Sequence, residues 1–472
     1  MNMTDMLKFD PACGKTETVE LEGLSVAFRA FENIPYVTNP ADAGMQKLNL
    51  FVPEAFYAGE RINGYDLHSA PIFVPNTVGG YRPGPVDRPG LDRQGRINAI
   101  FHALNHGYVV VAPGLRGNGM VDVDGRYIGC APAVICDYKA VVRWLRHNRE
   151  TVPGDVEKII TNGTSAGGAI SSVMGATGNH PDYEPYLKAM GAADERDDIF
   201  AASCYCPITN LDHADMAYEW EFCGVNDYHR NKMIPPGPGE DRPTFIPVDA
   251  DMTEEQIALS GLLKPMFPGY LNSLGLTDEH GMALTLDDSG DGSFKDYVLS
   301  VVLRSAQGQL DKGEDLSELD WLSVENGKAV AADFAGLVRY RTRMKPAPAF
   351  DDVNMGTPEN ELFSTPEVKE RHFTAFAGEH SAVNGAVAEE HQVKMMNPMN
   401  YIGAADADLA KHYRIRHGSV DRDTSLAISA MLMLKLQNNG VDANLEYPWG
   451  IPHSGDYDLP ELFAWIDAIC KE

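Results

Sequence analysis

The stretch Lys158-Ile-Ile-Thr-Asn-Gly163-Thr-Ser-Ala-Gly-Gly168 predicts a strand that runs directly into a sharp turn before a helix. Its first half is a short apolar run, as expected for a buried strand. Small residues continue from 166 to 176, which favours a helix packed closely against a sheet. Apolar runs and helical patterns alternate on either side of this stretch, as far as Pro207. This alternation predicts an α/β fold whose mostly parallel sheet is covered by helices.

The alternation of strands and helices stops after Pro207 and returns near Tyr413. Residues 208–396 are richer in acidic residues, proline and glycine, and they show no regular rhythm. We therefore predict an α/β core made of residues 1–207 and 397–472, with residues 208–396 inserted as a large cap, or lid, domain.

Composition excludes several classes of protein. The chain has 472 residues and a formal net charge of −29, so nucleic acids and anionic membrane surfaces would repel it. No stretch approaches the roughly 20 apolar residues that a membrane span needs, and the start lacks the pattern of a secretory signal. Seven scattered cysteines do not form a disulfide framework. We expect a cytoplasmic protein in which Cys204 and Cys206 are buried strand cysteines.

The turn Gly163-Thr-Ser165-Ala-Gly167 fits the G-x-S-x-G nucleophile elbow of α/β-hydrolases. The motif alone is short, but here a strand precedes it and a helix of small residues follows it, as the motif requires. Ser165 is therefore the predicted nucleophile. The oxyanion hole would use the backbone N–H of Ala166 and that of Gly79, which lies in the loop after a predicted strand at 70–74.

A serine nucleophile needs a base, and the base needs an orienting carboxylate. In this fold the acid follows the serine along the chain and the histidine comes last. Asp421 lies just beyond the strand predicted at 413–417, with Asp423 as a rival, and His453 lies beyond the final strand. We predict Ser165, Asp421 and His453 as the catalytic triad. His417, at a strand end, is expected to be structural.

Metal chemistry has little support in the sequence. The segment Asp287-Asp-Ser-Gly-Asp-Gly292 resembles a calcium loop, but Val298 stands where a calcium loop has its bidentate glutamate. Elsewhere no spacing of histidine, cysteine or carboxylate is typical of zinc. The sequence predicts an enzyme that needs neither a metal nor an organic cofactor.

Longer stretches of sequence point to a particular family of proteins. They are Gly163-Thr-Ser-Ala-Gly-Gly168, Asn76-Thr-Val-Gly-Gly-Tyr81, Cys206-Pro-Ile-Thr-Asn-Leu-Asp-His-Ala-Asp-Met-Ala-Tyr-Glu-Trp220 and Phe350-Asp-Asp-Val-Asn-Met-Gly-Thr-Pro-Glu359. Together they resemble the bacterial tannases (tannin acyl hydrolases) of the lactobacillus type, over nearly the whole chain. The chain departs from fungal tannases and feruloyl esterases, whose cysteines beside the triad are replaced here by Thr164 and Pro452.

The resemblance implies the same triad and oxyanion hole. It further implies that Lys345, Glu359 and Asp423 hold the hydroxyls of a galloyl ring, while Ile208 and Pro358 flank the ring. Ionised carboxylates are strong acceptors for the three phenolic O–H groups of that ring. A methoxy group cannot donate, so substrates with free hydroxyls are expected to be favoured.

The expected function is hydrolysis of galloyl ester and depside bonds to gallate and an alcohol, through a galloyl-serine intermediate. The expected partner is a small-molecule galloyl ester. A feruloyl or general aryl esterase with the same triad is the alternative within enzymes. A catalytically silent binding protein on a hydrolase scaffold is the alternative from another class, and the intact triad argues against it.

Overall fold

A computed structural model describes residues 6–92, 94–234 and 244–471. The strands in chain order are β1 Lys15–Leu21, β2 Leu24–Pro35, β3 Lys47–Pro53, β4 Pro71–Pro75, β5 Val109–Pro113, β6 Asp155–Thr164, β7 Ala201–Tyr205, β8 Asp227–Ile234, β9 Thr244–Asp251, β10 Leu322–Glu325, β11 Lys328–Ala332, β12 His412–Arg416 and β13 Asp442–Glu446. The α-helices are α1 Ala99–Asn105, α2 Ala133–His147, α3 Ala166–Ala176, α4 Glu184–Ala189, α5 Leu211–Phe222, α6 Glu254–Leu263, α7 Phe267–Ser273, α8 Ser293–Asp311, α9 Phe334–Arg341, α10 Pro358–Leu362, α11 Ala375–Glu379, α12 Glu390–Lys394, α13 Leu426–Asn438 and α14 Leu459–Lys471.

One large sheet organises the molecule. Its nine strands lie in the order β1-β2-β3-β5-β4-β6-β7-β12-β13. Strands β1, β2 and β3 pair antiparallel, β3 also pairs antiparallel with β5, and the remaining pairs are parallel. Strands β5 and β7 are buried at every position, as expected of strands covered on both faces. The predicted α/β class with a mostly parallel sheet is confirmed.

The first strands differ from the expected alternation with helices. Residues 15–53 form three antiparallel strands with no α-helix between them, so the predicted strand–helix rhythm is wrong for this segment. In β2, Val26, Phe28 and Ala30 are buried at every second position, as in a strand that buries one face. Antiparallel neighbours can be joined by short turns, so this part of the sheet needs no crossover helix.

The segment between β7 and β12 adds helices and two small hairpins. Strands β8 and β9 pair antiparallel, as do β10 and β11, and neither pair joins the nine-stranded sheet. These elements lie within residues 208–396, where the sequence shows no regular rhythm. Over the residues that the structure describes, no helix combines the length and apolar character that crossing a bilayer requires.

Candidate functional site

Ser165 lies at the junction of β6 and α3 with φ 62° and ψ −124°. A non-glycine residue with positive φ is uncommon, and here the sharp turn between strand and helix imposes it. The flanking glycines are required by space. A Cβ on Gly163 would lie 2.3 Å from the Gly167 carbonyl oxygen, and one on Gly167 would lie 2.6 Å from Asn76 Oδ1. The strand therefore delivers Ser165 onto a turn that only small neighbours can form.

The backbone of Ser165 is held by the end of the neighbouring strand. Its N–H donates to the Tyr205 carbonyl at 3.0 Å, and its carbonyl accepts the N–H of Ile208 at 3.2 Å. Ile208, predicted to flank the galloyl ring, thus forms a backbone hydrogen bond with the predicted nucleophile. The chain turns away from the sheet at this point, and α5 begins three residues later.

His453 and Asp421 form a tight pair. His453 Nδ1 lies 2.8 Å from Asp421 Oδ2 and 3.7 Å from Asp423 Oδ2. Asp421 is buried, with 1 % of its surface exposed. The shorter distance and the deeper burial favour Asp421 over its rival Asp423 as the carboxylate that orients the imidazole.

The loop that carries His453 is fixed against both the acid loop and the elbow. A Cβ on Gly418 would lie 2.0 Å from the Ile451 carbonyl oxygen, so the acid loop and the histidine loop are in close contact. A Cβ on Gly455 would lie 1.8 Å from Thr164 Oγ1, the residue before Ser165. The structure therefore brings the loops of Ser165, Asp421 and His453 to one edge of the sheet.

Charge sets the protonation of this cluster. Burial works to lower the pKa of His453, but the carboxylates of Asp421 and Asp423 outweigh it and raise that pKa well above its ordinary value. Burial works to raise the pKa of Asp421, but His453 and His417 lower it below its usual range. Asp421 therefore stays ionised and can stabilise an imidazolium on His453.

His417 is a buried neutral group. Its Nδ1 lies 2.8 Å from Ser429 Oγ, and its Nε2 lies 3.7 Å from Asp421 Oδ2. Burial lowers the pKa of His417 to about 4. It packs beside the acid and contacts helix α13, in keeping with the structural place expected for it.

A second charged group lies next to the histidine. Lys345 Nζ lies 3.0 Å from Asp423 Oδ1 and 4.1 Å above the centre of the Phe350 ring. Burial works to lower the pKa of Lys345, but Asp423 and Glu359 raise it overall. Burial works to raise the pKa of Asp423, but His453 and Lys345 lower it. Lys345 and Asp423 are therefore a cation and an anion that lie directly beside His453.

Glu359 lies in the first turn of α10 and is 7 % exposed. Burial raises its pKa, although the charge of Lys345 acts in the opposite direction. Lys345 thus interacts with both carboxylates that the sequence assigns to substrate binding. The structure brings all three predicted ring-binding charges together from segments 78 positions apart in the chain (345 to 423).

The loop of Gly79, the predicted oxyanion donor, is linked by hydrogen bonds to the two predicted ring-flanking residues. Tyr81 donates its hydroxyl proton to the Ile208 carbonyl at 2.6 Å. Asn118 Nδ2 donates to the carbonyls of Gly80, at 3.0 Å, and Pro358, at 2.8 Å. Gly79 is exposed at the tip of this loop. Ile208, Pro358 and the loop of Gly79 are therefore joined around the elbow.

Asn76 has a positioning role that the sequence reasoning missed. Its Nδ2 donates to the carbonyls of Asn162, at 3.0 Å, and Gly167, at 3.2 Å, while its Oδ1 accepts the N–H of Val78. One amide side chain thus fixes the loop after β4 against the elbow. Its place directly after β4, three residues before Gly79, is the signal that could have identified it.

A buried clamp on the acid loop was also missed. Arg341 donates to the Asp421 carbonyl and forms an ion pair with Glu221. Glu221 Oε2 accepts from Ser425 Oγ at 2.8 Å and from the Leu426 N–H at 3.0 Å, at the start of α13. Both charged side chains are at most 1 % exposed. The pair therefore holds the loop from 421 to 426 at both ends.

The Tyr218 hydroxyl links this loop to the segment of Lys345. It donates to the Arg422 carbonyl at 2.9 Å and accepts the N–H groups of Met344 and Lys345 at 3.2 and 3.1 Å. Residues of α5 thus position the acid loop and the lysine together. No local sequence pattern predicts these contacts, because they join parts of the chain far apart.

We expect Glu221→Gln to lower the free energy of unfolding by about 3–5 kcal/mol, because it leaves the Arg341 charge buried without its partner. Glu367→Gln is the matched control, since Glu367 pairs with Arg126 at 2.7 Å with both side chains more than half exposed. Removing that exposed pair should change stability by less than about 1 kcal/mol. Urea unfolding of the three proteins measures both effects, and equal losses would contradict the clamp.

The Asp287 segment closes on itself. Asp287 Oδ1 accepts the N–H groups of Ser289, at 2.9 Å, and Asp291, at 3.1 Å, and Lys295 pairs with Asp291. The carboxylate of Asp287 is thus engaged with its own turn, and that of Asp291 with the first turn of α8.

Known proteins resemble this chain in both sequence and structure. The BD-FAE family model matches residues 92–220. The crystal structure of tannase from Lactobacillus plantarum is 46 % identical with a TM-score of 0.96, covering 99 % of this chain and 100 % of that chain. The tannase of Fusobacterium nucleatum is 47 % identical with a TM-score of 0.93, covering 98 % and 99 %. A tannin acyl hydrolase in complex with ethyl gallate is 45 % identical with a TM-score of 0.93, covering 99 % and 100 %. The comparison with curated proteins gives no match.

Proposed function

The chain belongs to the tannase family of α/β-hydrolases, and we propose that Ser165, His453 and Asp421 carry out its hydrolysis of galloyl esters and depsides to gallate. One observation carries the proposal. The Lys345–Asp423 pair, at 3.0 Å, lies beside His453, whose Nδ1 is 2.8 Å from Asp421. A charged group suited to phenolic hydroxyls is thus adjacent to a histidine suited to base catalysis.

The reaction follows the serine hydrolase scheme. Ser165 Oγ attacks the ester carbonyl while His453 takes its proton, and the N–H groups of Ala166 and Gly79 stabilise the oxyanion. The imidazolium, stabilised by Asp421, gives that proton to the leaving alcohol, and a galloyl-serine ester remains. Water then attacks the acyl group in the same way and releases gallate.

Recognition of the ring rests on the charged side chains of Lys345, Asp423 and Glu359. Asp423 and Glu359 accept hydrogen bonds from the ring hydroxyls, and the Lys345 ammonium donates to their oxygens. Ile208 and Pro358 contact the two faces of the ring. Residues 208–396 act as a cap on the core, since they supply Lys345 and Glu359 to a triad that lies outside this segment.

Methyl gallate and methyl 3,4,5-trimethoxybenzoate test this recognition, because O-methylation removes all three ring donors and also adds bulk where the carboxylates would bind. We expect kcat/KM to favour methyl gallate by about 10⁴-fold, as in other sites built to bond a substrate hydroxyl. Lys345→Met should remove most of the preference. Equal cleavage of methyl gallate, methyl ferulate and methyl benzoate by the unaltered protein would identify a general aryl esterase instead.

Asp423→Asn is expected to move the acid limb of kcat/KM to lower pH. His453 acts as a base only when neutral, so the rate falls as the pH drops through its pKa. Asp423 is one of the two carboxylates that raise this pKa, so its loss lowers the pKa and moves the fall in rate with it.

The pH profile of methyl gallate hydrolysis measures this shift. KM for methyl gallate should also rise by roughly 10- to 100-fold, the equivalent of one lost hydrogen bond to a charged group. Asp406→Asn is the control, because Asp406 is largely exposed and faces His180 instead. An acid limb that stays in place or moves to higher pH would contradict the coupling.

A cytoplasmic location remains a prediction of the sequence, and fractionation of the source cells tests it.

A further inference from the structure

The thiol of Cys206 lies beside the catalytic pair and has no part in the proposed reaction. The sequence predicts a buried strand cysteine here, but β7 ends at Tyr205 and Cys206 is the first residue beyond it, with φ 36°. The residue is 1 % exposed, and its Sγ lies 3.4 Å from the carbonyl of Ser454, the neighbour of His453.

Three different ligand types converge at this point. One ligand atom each from Cys206, Asp421 and His453 lies within 4.8 Å of the other two. Throughout residues 6–92, 94–234 and 244–471, this is the one group of three or more such side chains close enough to hold a metal ion. The three positions are 215 and 32 residues apart along the chain (206, 421, 453), so no local spacing could reveal them.

The donor set suits a d¹⁰ divalent cation. Zinc binds thiolate sulfur at about 2.3 Å, imidazole nitrogen at about 2.0–2.1 Å and carboxylate oxygen at about 2.0–2.2 Å, with tetrahedral geometry. Ligands at those lengths are separated by roughly 3–4 Å, so side-chain adjustments of about an ångström would complete the site. Cadmium shares the preference for sulfur, whereas magnesium and calcium require more oxygen ligands than this group offers.

We propose that Cys206, His453 and Asp421 form an inhibitory site for Zn²⁺ and Cd²⁺. The ion displaces the proton that His453 Nδ1 shares with Asp421; this proton leaves to solvent from the imidazolium, or shifts to Nε2 in the neutral imidazole. The Cys206 thiol also releases its proton to solvent on binding. The imidazole keeps one proton, on Nε2. The bound ion therefore leaves His453 unable to accept the proton of Ser165, and hydrolysis stops.

The ion has a route to the site. The side chain of His453 is 26 % exposed, so a hydrated ion can reach the imidazole from the side open to solvent and then engage the buried thiolate. Inhibition rests on the proposed role of His453 as base. Binding itself rests only on the three side chains, which makes the two separately measurable.

Cadmium titration in a non-coordinating buffer tests binding directly through the ultraviolet sulfur-to-cadmium charge-transfer band. The exposed Cys13, whose thiol contacts Asp10, is first replaced (Cys13→Ser) to remove a competing surface thiol. In that background we expect one equivalent of Cd²⁺ to produce the band. Adding Cys206→Ser, Cys206→Ala or His453→Ala should abolish it or weaken binding at least about tenfold.

Inhibition of methyl gallate hydrolysis by Zn²⁺ and Cd²⁺ is measured in parallel, with each variant expressed as a fraction of its own metal-free rate. The Cys206 variants should need at least about tenfold more ion for half inhibition, and Mg²⁺ should not inhibit. A band and an inhibition unchanged by both Cys206 substitutions would overturn the proposal, as would a Cys206-dependent band without inhibition. Ser165→Ala separates the two hypotheses, because it should abolish activity and leave the band intact.

Discussion

Replacing Ser165 with alanine is expected to lower kcat for methyl gallate by about 10⁶-fold, the loss typical of a triad serine. The substitution removes the oxygen that would form the acyl-enzyme and leaves no other route to it. The turn should survive, because it is held by backbone bonds from Ser165 to Tyr205 and Ile208, which alanine retains. Binding of gallate should therefore change little.

Ser172→Ala is the matched control for this experiment. Ser172 lies in α3, the helix that follows Ser165; it is fully buried and donates its hydroxyl to the Ala169 carbonyl within that helix. We expect its kcat to stay within a few fold of that of the unaltered protein. Loss of one buried hydroxyl away from the substrate should lower the free energy of unfolding and leave the rate nearly unchanged. A comparable collapse in both variants would show that packing of α3, and not the Ser165 hydroxyl, sets the rate.

Asp421→Asn is expected to lower kcat by about 10⁴-fold without changing the fold of the site. Asp421 Oδ1 accepts the N–H of Asp423 at 2.9 Å, so the asparagine oxygen should keep that bond. Its amide group would then face His453 Nδ1 as a donor. Nδ1 must then act as an acceptor, so the imidazole carries its proton on Nε2. With Nε2 protonated, His453 cannot accept the proton of Ser165.

Asp423→Asn provides the comparison, because its carboxylate is the alternative partner of His453 at 3.7 Å. Its loss should raise KM far more than it lowers kcat, since it is assigned to the substrate ring. Steady-state kinetics on both variants decide the assignment. A larger kcat loss in Asp423→Asn than in Asp421→Asn would make Asp423 the orienting acid.

The sequence predicts the core around Ser165, the proposed nucleophile, closely. The helix after the elbow occupies Ala166–Ala176 as predicted, and the strand expected at 70–74 occupies Pro71–Pro75. These elements have strong local patterns, and a parallel sheet places the carboxyl ends of their strands at one edge. The fold class and the order of the site residues follow from that geometry.

What the sequence did not predict depends on contacts between distant residues. The antiparallel strands before β4 carry only a period-two burial pattern in β2, and no helix marks their connections. The Arg341–Glu221 pair and the Cys206 thiol reach Asp421 and His453 only once the chain is folded. A charged residue in such a segment has the local signature of an ordinary surface residue until its partner is known.

The Tyr218 hydroxyl, bonded to both the acid loop and the backbone of Lys345, constrains how such enzymes can be re-engineered. Exchanging the segment that carries Lys345 between scaffolds would move only one side of this contact. The transferred segment would lack the acid loop that Tyr218 contacts, and the recipient protein would lose the hydrogen bond that supports the loop of Asp421. The residues proposed for recognition and for catalysis are therefore coupled through one hydroxyl, and we expect a graft to keep activity when it moves α5, the Lys345 segment and the acid loop together.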